Sequence, residues 1–445
     1  MAENAVKIED VTPQVTGTAK PANALEARLA EVTLPGGGFT AAARKDALAR
    51  LHEMGLPGPR DEYWRYTDPR PFNAPKPTPL ALVDRTDSPL FSDADRLKLV
   101  FVDGVFDEAA SDDLSLEGVE MSLLSQAEGV ADHWAREWFG VLEAAGQKPV
   151  KRPFAALNTV VARDGLLLRV TGLPSKPIHI IHRRGSETAD AVWHHVVRLE
   201  EGASLTLLET GMSGARSNGM IEVDVAKNAQ FNYISSKRAA HQTVGLSHIF
   251  ARVDEAAQFK SFTLSVGGNV MRQEGVIDIV GDDAFAHIAA AVLGDGEDGP
   301  FHQDDTVFIT HAAERCESRQ VYKKVLKNGA QGVFQGKILV KPGAQKTDGY
   351  QISQALLLDE TSQFLAKPEL EIYADDVKCS HGSTTGALDE DALFYLRSRG
   401  VPLDRAVIFL VLSFLADALE EVESDELRAD INDRLEAWLT QHPAK

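Results

Sequence analysis

The chain has 445 residues, of which 44% are hydrophobic and 25% charged, and its formal net charge is −20 at pH 7. This length allows a large core and two or three structural regions. The negative charge argues against nucleic-acid binding, which needs a basic face, and against binding to anionic membrane surfaces. Two cysteines cannot form a disulfide framework, so the composition favours a reducing, cytoplasmic location.

No segment of the sequence indicates a membrane or secretory protein. The first ten residues lack the apolar stretch of a secretory signal. The longest strongly apolar run, 406–416, is shorter than the roughly 20 residues that a membrane-spanning helix needs. We therefore expect that the protein does not bind or span a membrane.

The N-terminal third divides into a polar tail and a mainly helical region. Residues 1–22 are polar and aperiodic, which indicates a disordered tail. Within the region 23–150, the apolar pattern predicts two helices over 24–54 and another helix around 131–145. Between them, the run 99–104 ends in Asp-Gly after four apolar residues and predicts a hairpin.

From residue 151 to residue 388, short β-branched and aromatic runs alternate with small polar turns. A turn phrase recurs around Ala203, Ala229, Ala257 and Ala284, at steps of 26, 28 and 27 residues. A period near 27 with strand–turn–strand content predicts the stacked coils of a β-solenoid, in which the turn alanines stack in register. The alternative is an antiparallel sandwich with similar turns.

The last region, 389–445, changes to a period of 3.6 and predicts three helices. The first helix starts with acidic residues from Asp389 and ends with arginines before Gly400; these charges suit the helix dipole, and the glycine suits a C-cap. The middle helix is apolar on nearly all sides, so three short helices cannot readily cover it. Two interpretations are open: a surface for a partner, or burial against the solenoid.

One of the two cysteines, Cys379, stands two residues before His381 in a run that predicts a strand. Residues i and i+2 of a strand point to the same face, so a thiol and an imidazole would project side by side. Such a pair suits iron, zinc or sulfur chemistry, but it makes only half of a coordination shell. The alternatives are a small buried thiol and a histidine paired with Asp375 or Asp376.

Several longer phrases lie between Cys316 and Gly400, and one lies near the N-terminus. They are Cys316-Glu-Ser-Arg-Gln320, Val333-Phe-Gln-Gly-Lys-Ile338, Gln345-Lys-Thr-Asp-Gly349, Lys367-Pro-Glu-Leu-Glu-Ile372, Ala374-Asp-Asp-Val-Lys-Cys-Ser-His-Gly382, Leu393-Phe-Tyr-Leu-Arg-Ser-Arg-Gly400 and Arg60-Asp-Glu-Tyr-Trp-Arg-Tyr-Thr67. Together they resemble the SufB/SufD family of iron–sulfur assembly proteins, and the SufD branch in particular.

The resemblance implies a mainly β fold, a right-handed parallel β-helix core with helical N-terminal and C-terminal regions. It also implies a non-enzymatic scaffold that pairs with SufB, or with a second copy of itself when alone, and that binds the ATPase SufC. ATP hydrolysis would belong to SufC. A nascent iron–sulfur cluster would form transiently at the SufB interface, held there by His381 and Cys379 together with SufB ligands, and this chain alone would bind none.

The resemblance further implies that the C-terminal helices dock SufC. The residues expected at that contact are Phe394, Arg397, Arg399, Phe409, Phe414 and Leu415. Cys316 and His311 also lie near each other in the sequence, and they form either a second site or part of the packing.

Two other functions compete with the scaffold. A β-helix enzyme of polysaccharide type would need paired acids along one face and an extracellular location, which the absence of a signal opposes. A purely structural solenoid would not need the pair Cys379 and His381.

Overall fold

Two parallel β-sheets face each other along the length of a β-solenoid. The computed structural model describes residues 23–82, 90–127 and 129–442. The predicted tail, 1–22, lies outside the described residues. Among the helices described, none is long and apolar enough to cross a membrane.

The described residues contain nineteen strands and eight α-helices. The strands are β1 (Leu97–Val102), β2 (Val105–Phe106), β3 (Val119–Leu123), β4 (Leu166–Val170), β5 (Ile178–Arg183), β6 (Asp190–Leu199), β7 (Ser204–Gly211), β8 (Arg216–Val225), β9 (Gln230–Arg238), β10 (Val244–Val253), β11 (Gln258–Val266), β12 (Val270–Ile279), β13 (Phe285–Asp295), β14 (His302–His311), β15 (Glu317–Lys327), β16 (Gln331–Val340), β17 (Asp348–Leu357), β18 (Gln363–Ile372) and β19 (Lys378–Gly386). The helices are α1 (Ala24–Leu29), α2 (Ala41–Met54), α3 (Arg70–Asn73), α4 (Val141–Ala145), α5 (Pro153–Val161), α6 (Glu390–Ser398), α7 (Leu403–Leu419) and α8 (Asp425–Gln441).

Consecutive strands of the solenoid alternate between the two sheets. The first sheet has the order β19-β17-β15-β13-β11-β9-β7-β5-β1-β2, and the second has the order β18-β16-β14-β12-β10-β8-β6-β4-β3. All strand pairs formed among β4–β19 are parallel, which rules out the antiparallel sandwich. The predicted solenoid is therefore confirmed.

The recurring turn phrase forms the corners between coils. Ala203, Ala229, Ala257 and Ala284 are all at most 1% exposed. Each alanine carbonyl accepts a hydrogen bond from the first strand residue of the next coil, as in the 2.8 Å bond from the Gln230 amide to the Ala203 carbonyl. Small side chains are needed there because successive coils stack directly on one another.

The main core lies between the two sheets, and N-terminal helices cover the outer face of the second sheet. The amide of Asn158 in α5 donates to the carbonyls of Trp193 and Asn218, at 3.0 and 2.8 Å. The predicted hairpin is β1–β2, which pairs antiparallel, and β1 also joins the first sheet. The helix expected around 131–145 is only α4 and a preceding 3₁₀ turn.

Three helices follow the solenoid, as predicted, and they cover the outer face of the first sheet. The Asp389 carboxylate caps α6 by accepting from the Ala392 amide at 2.9 Å, and Gly400 has φ of +86°. One face of α7, including Val411 and Leu415, is buried against β13, β15 and α8. Burial therefore explains much of its apolar character, while the opposite face remains exposed.

Candidate functional site

Both sheets end in an unpaired strand at the C-terminal end of the solenoid. β18 follows β16 at the edge of the second sheet, and β19 follows β17 at the edge of the first. Within the described residues, no further strand pairs with either of them, so each presents a row of backbone donors and acceptors to another chain. We call the surface formed by β18 and β19 the open end.

The predicted pair of Cys379 and His381 lies in β19 at the open end. The parallel register places Cys379 beside Gly349 and His381 beside Gln351 of β17. Gly349 and Gln351 belong to the buried row of β17 that faces the core. Cys379 and His381 therefore continue the core-facing row into the last coil, which no later coil covers.

Cys379 is the more enclosed residue of the pair. Its Sγ atom lies 3.3 Å from the position that a Cβ on Gly349 would take, and it packs on a small cluster that contains Ile338. Burial raises the pKa of the Cys379 thiol, and the nearby Asp348 carboxylate adds to the increase. In the isolated chain the thiol therefore stays protonated, and it would lose its proton on binding a metal.

His381 is exposed in the isolated chain. Among the residues that the structure describes, none forms a hydrogen bond or an ion pair with its ring. The alternative in which Asp375 or Asp376 satisfies this histidine is therefore wrong. An accessible imidazole of this kind can act as a metal ligand or carry a proton.

The second Cys–His pair is satisfied inside the solenoid. His311 Nε2 lies 2.8 Å from Ser318 Oγ, and Cys316 Sγ donates to the carbonyls of Gly281 and Glu314, both at 3.3 Å. Burial lowers the pKa of His311 to about 4 and raises the pKa of the Cys316 thiol. These contacts favour the packing interpretation of this pair.

β18 brings an apolar row to the open end. Its core-facing residues are Phe364, Ala366, Pro368 and Leu370. All four are half-buried, whereas Phe334 and Ile338, which face the core in the preceding strand of the same sheet, are 0% exposed. An apolar row that loses its cover in this way is typical of a protein interaction surface.

The N-terminal segment braces β18 from its outer face. The Tyr63 hydroxyl donates to Glu369 Oε2 at 2.9 Å, and Lys367 Nζ donates to Glu62 Oε1 at 2.6 Å. The Lys367 ammonium also lies 4.3 Å from the centre of the Tyr63 ring. Burial, reinforced by the bond to Glu369, raises the pKa of Tyr63.

Sequence reasoning missed this brace. In the sequence, Arg60–Thr67 contributes only to the family resemblance; in the structure, its Trp64 is a packing residue that is 5% exposed. No local pattern in this phrase or in the Lys-Pro-Glu phrase specifies the contact, because it joins Tyr63 to Glu369 across 306 residues of sequence.

The residues predicted to dock an ATPase differ in how exposed they are. Phe394 is 75% exposed and Phe409 is 43% exposed, and Arg397 and Arg399 are also exposed. By contrast, Leu415 is 0% exposed and belongs to the core beneath α7. The sixth predicted docking residue, Phe414, is half-buried, and the Lys323 ammonium lies 4.9 Å from its ring centre.

A buried cluster inside the solenoid has residue types that often bind metals, but its side chains are hydrogen-bonded to one another and to their neighbours. The potential ligand atoms of His182, His195 and Glu209 lie within 4.8 Å of one another. However, His182 Nε2 is 2.6 Å from Glu209 Oε1, and the Tyr233 hydroxyl donates to the same carboxylate. The Leu166 amide donates to His195 Nδ1 at 2.9 Å, which leaves the proton of the neutral ring on Nε2. The cluster is a hydrogen-bonded buried carboxylate.

Comparison with known proteins places this architecture in a family. A family model described as "SUF system FeS cluster assembly, SufBD core domain" matches residues 182–414, which include both strands of the open end. The chain belongs to the SufBD family. This membership confirms the resemblance drawn from the sequence phrases, and it sets aside the polysaccharide enzyme and the purely structural solenoid.

Individual relatives agree with this assignment. The iron–sulfur cluster assembly protein SufD of Escherichia coli is 30% identical over 409 residues, covering 87% of this chain and 90% of SufD. A SufBD family protein of Synechocystis is 26% identical over 414 residues, covering 85% of this chain and 86% of the relative. The chloroplast protein ABCI7 of Arabidopsis thaliana is 28% identical over 249 residues, which cover 55% of this chain and 52% of ABCI7.

Proposed function

We propose that this member of the SufBD family is a non-catalytic, SufD-type scaffold subunit of a cytoplasmic complex that builds iron–sulfur clusters. In this proposal its open end pairs with a SufB-type paralogue, and its C-terminal helices dock the ATPase SufC. The single observation that supports it best is the position of Cys379 and His381 in the unpaired last strand of the solenoid.

The two edge strands of the open end have no strand partner within the described residues. A partner that ends in two parallel edge strands could extend both sheets through backbone hydrogen bonds, which would bury the half-exposed apolar row of β18. A related solenoid is the simplest partner with this geometry. A second copy of this chain also offers it, so a homodimer is the expected state when the paralogue is absent.

Cys379 and His381 offer one sulfur and one nitrogen, both of which suit iron, and together they supply two of the four ligands of a tetrahedral site. Cys316, the other cysteine, is buried and hydrogen-bonded. A nascent cluster, as the cargo of the complex, would therefore need further ligands from the paralogue, and this chain alone would not hold it.

Phe394, Tyr395 and Phe409 are exposed aromatic side chains. Arg399 lies 5.0 Å from the Tyr395 ring centre, and Arg405 lies 5.2 Å from that of Phe409. Exposed aromatic and arginine side chains are enriched in protein interfaces. We assign this face of α6 and α7 to SufC.

The scaffold proposal can be tested by anaerobic co-purification of the tagged chain from its native cytosol, with identification of partners and assay of iron and sulfide. We expect an ATPase and a paralogue richer in cysteine. Repeated recovery of the chain alone and without iron would contradict the proposal.

The docking face can be tested separately with a truncation and a matched pair of variants. Truncation before Asp389 should abolish ATPase binding. Phe394→Ala should weaken ATPase binding without changing the free energy of unfolding, whereas Leu415→Ala should lower that free energy by about 2–5 kcal/mol because it opens a cavity in the core. ATPase binding that survives the truncation would refute the docking assignment.

A further inference from the structure

Two buried amides lie in a line with His381. Gln320 of β15 is paired in register with Gln351 of β17, which is in turn paired with His381 of β19. Gln320 and Gln351 are both 0% exposed. Within the described residues, neither the Oε1 nor the Nε2 atom of either amide has a hydrogen-bond partner.

An unpaired amide in a protein core is unfavourable, because it loses its hydrogen bonds to water and gains none in return. An apolar side chain of similar size would be more stable at either position. The amides are therefore not explained by packing, and their alignment with the exposed histidine suggests a functional reason.

The opposite sheet leaves room for the amide of Gln351. A Cβ atom on Gly336 of β16 would lie 2.5 Å from Gln351 Oε1 and 2.6 Å from its carbonyl carbon. No side chain fits at position 336 unless this amide moves. Gly336 thus faces the Gln351 amide, and Gln351 is the residue paired in register with His381.

We propose that Gln351 is a positioning residue for His381. When a partner covers the open end, the Gln351 amide oxygen accepts a hydrogen bond from one ring N–H of His381, which leaves the lone pair of the other ring nitrogen directed towards the partner and its cargo. Neighbouring strands lie about 4.8 Å apart, so the amide is within reach of the ring. Hydrogen bonds of this kind fix the tautomer and the orientation of a histidine that binds metal. This inference rests on the proposed function.

Gln320 provides a matched control. It has the same side chain, the same burial and the same lack of partners, but it lies two strand spacings, roughly 10 Å, from the backbone of His381. Its amide is therefore too deep to reach the ring directly.

Two substitutions at position 351 separate positioning from packing. Gln351→Met keeps the shape but removes the acceptor, and Gln351→Glu keeps an acceptor oxygen but makes the core more polar. We expect Met to raise the melting temperature and Glu to lower it. Activity should follow the opposite order: in the complex with the paralogue, Gln351→Met should weaken Co²⁺ binding about tenfold and reduce cluster yield, and Gln351→Glu should preserve both.

The measurements are Co²⁺ titration of the metal-free complex, iron and sulfide assay after cluster assembly, and thermal unfolding, each with Gln320→Met as the control. Unchanged Co²⁺ affinity in Gln351→Met, or equal losses in the Met and Glu variants, would overturn the positioning role. An equal loss in Gln320→Met would also overturn it. If the unsubstituted chain does not bind the paralogue, the proposed function fails, and this inference fails with it.

Discussion

The two ends of the solenoid differ in how their sheets are finished. At the N-terminal end, the last strands are β2 and β3, which pair antiparallel with their neighbours; β2 has two residues and β3 has five. We call this the sealed end. At the open end, β18 and β19 are parallel edge strands of ten and nine residues. Short or reversed strands prevent further pairing, and long regular ones invite it, so the contrast indicates which end serves a partner.

The side chains of the last coils differ in the same way. At the sealed end, the core-facing residues of β1 are Leu97, Leu99 and Phe101, and each is at most 4% exposed. At the open end, the core-facing row of β19 includes Cys379 and His381. The core-facing row is thus buried and apolar at the sealed end, whereas at the open end it includes a thiol and an exposed imidazole.

The largest expected effect is on stability at the sealed end. Phe101 is 0% exposed and its ring packs 5.5 Å from that of Phe106. Phe101→Ala should lower the free energy of unfolding by about 3–5 kcal/mol, because it removes a large buried side chain and leaves a cavity. Denaturant unfolding measures this loss, with His381→Ala as the control that should change stability by less than about 0.5 kcal/mol. Comparable losses of unfolding free energy in Phe101→Ala and His381→Ala would contradict the difference between the two ends.

The next effect concerns partner binding. Leu370→Lys places a charge in the apolar row of the open end, where its ammonium can still reach water in the isolated chain. On docking, that charge would be buried, so affinity for the paralogue should fall by about 2 kcal/mol, or roughly thirtyfold. The control is Val105→Lys at the sealed end, where Val105 is 55% exposed and binding should not change. Titration calorimetry measures both; equal affinities would remove the open end from the interface.

His381→Ala should separate chemistry from assembly. No described residue forms a hydrogen bond or an ion pair with the ring, which is exposed, so the complex should form with its normal affinity. Cluster formation should fall at least about tenfold, because the proposed shared site would lose one of its ligands. Iron and sulfide content of the purified complex is the measurement. A normal cluster yield would disprove the role of His381 and leave the docking surface unaffected.

The smallest expected effect tests the brace on β18. Tyr63→Phe removes the hydroxyl that donates to Glu369, a bond worth about 1 kcal/mol. Amide hydrogen exchange in β18 should quicken about fivefold, whereas exchange in β19, which Tyr63 does not contact, should stay the same. Exchange in β18 that is no faster in the variant than in the unsubstituted chain would show that the brace does not hold the edge.

The sequence predicted the repeating parts of the molecule well. The turn alanines recur because every coil meets the same steric demand, so Ala203 through Ala284 reveal the solenoid without knowledge of any contact. The three C-terminal helices were also predicted, since the apolar period changes to 3.6 after residue 388 and Gly400 ends α6. Alternation along a strand was enough to place Cys379 and His381 on one face.

What could not be predicted depends on contacts between distant segments. The brace joins Tyr63 to Glu369, which lie 306 residues apart, and neither residue has a local pattern that specifies its partner. The alignment of Gln320 and Gln351 beneath His381 depends on the strand register, which turn lengths alone do not give. Likewise, only packing separates the exposed Phe394 from the buried Leu415.

The most direct test of the scaffold account is amide hydrogen exchange of the chain with and without the cysteine-rich paralogue that we propose as its partner. The account predicts that amides of β18 and β19 become protected on binding, because their unpaired groups join the partner's sheets, while amides of β2 and β3 do not change. Protection at the sealed end, or no change at the open end in a complex that has formed, would contradict it.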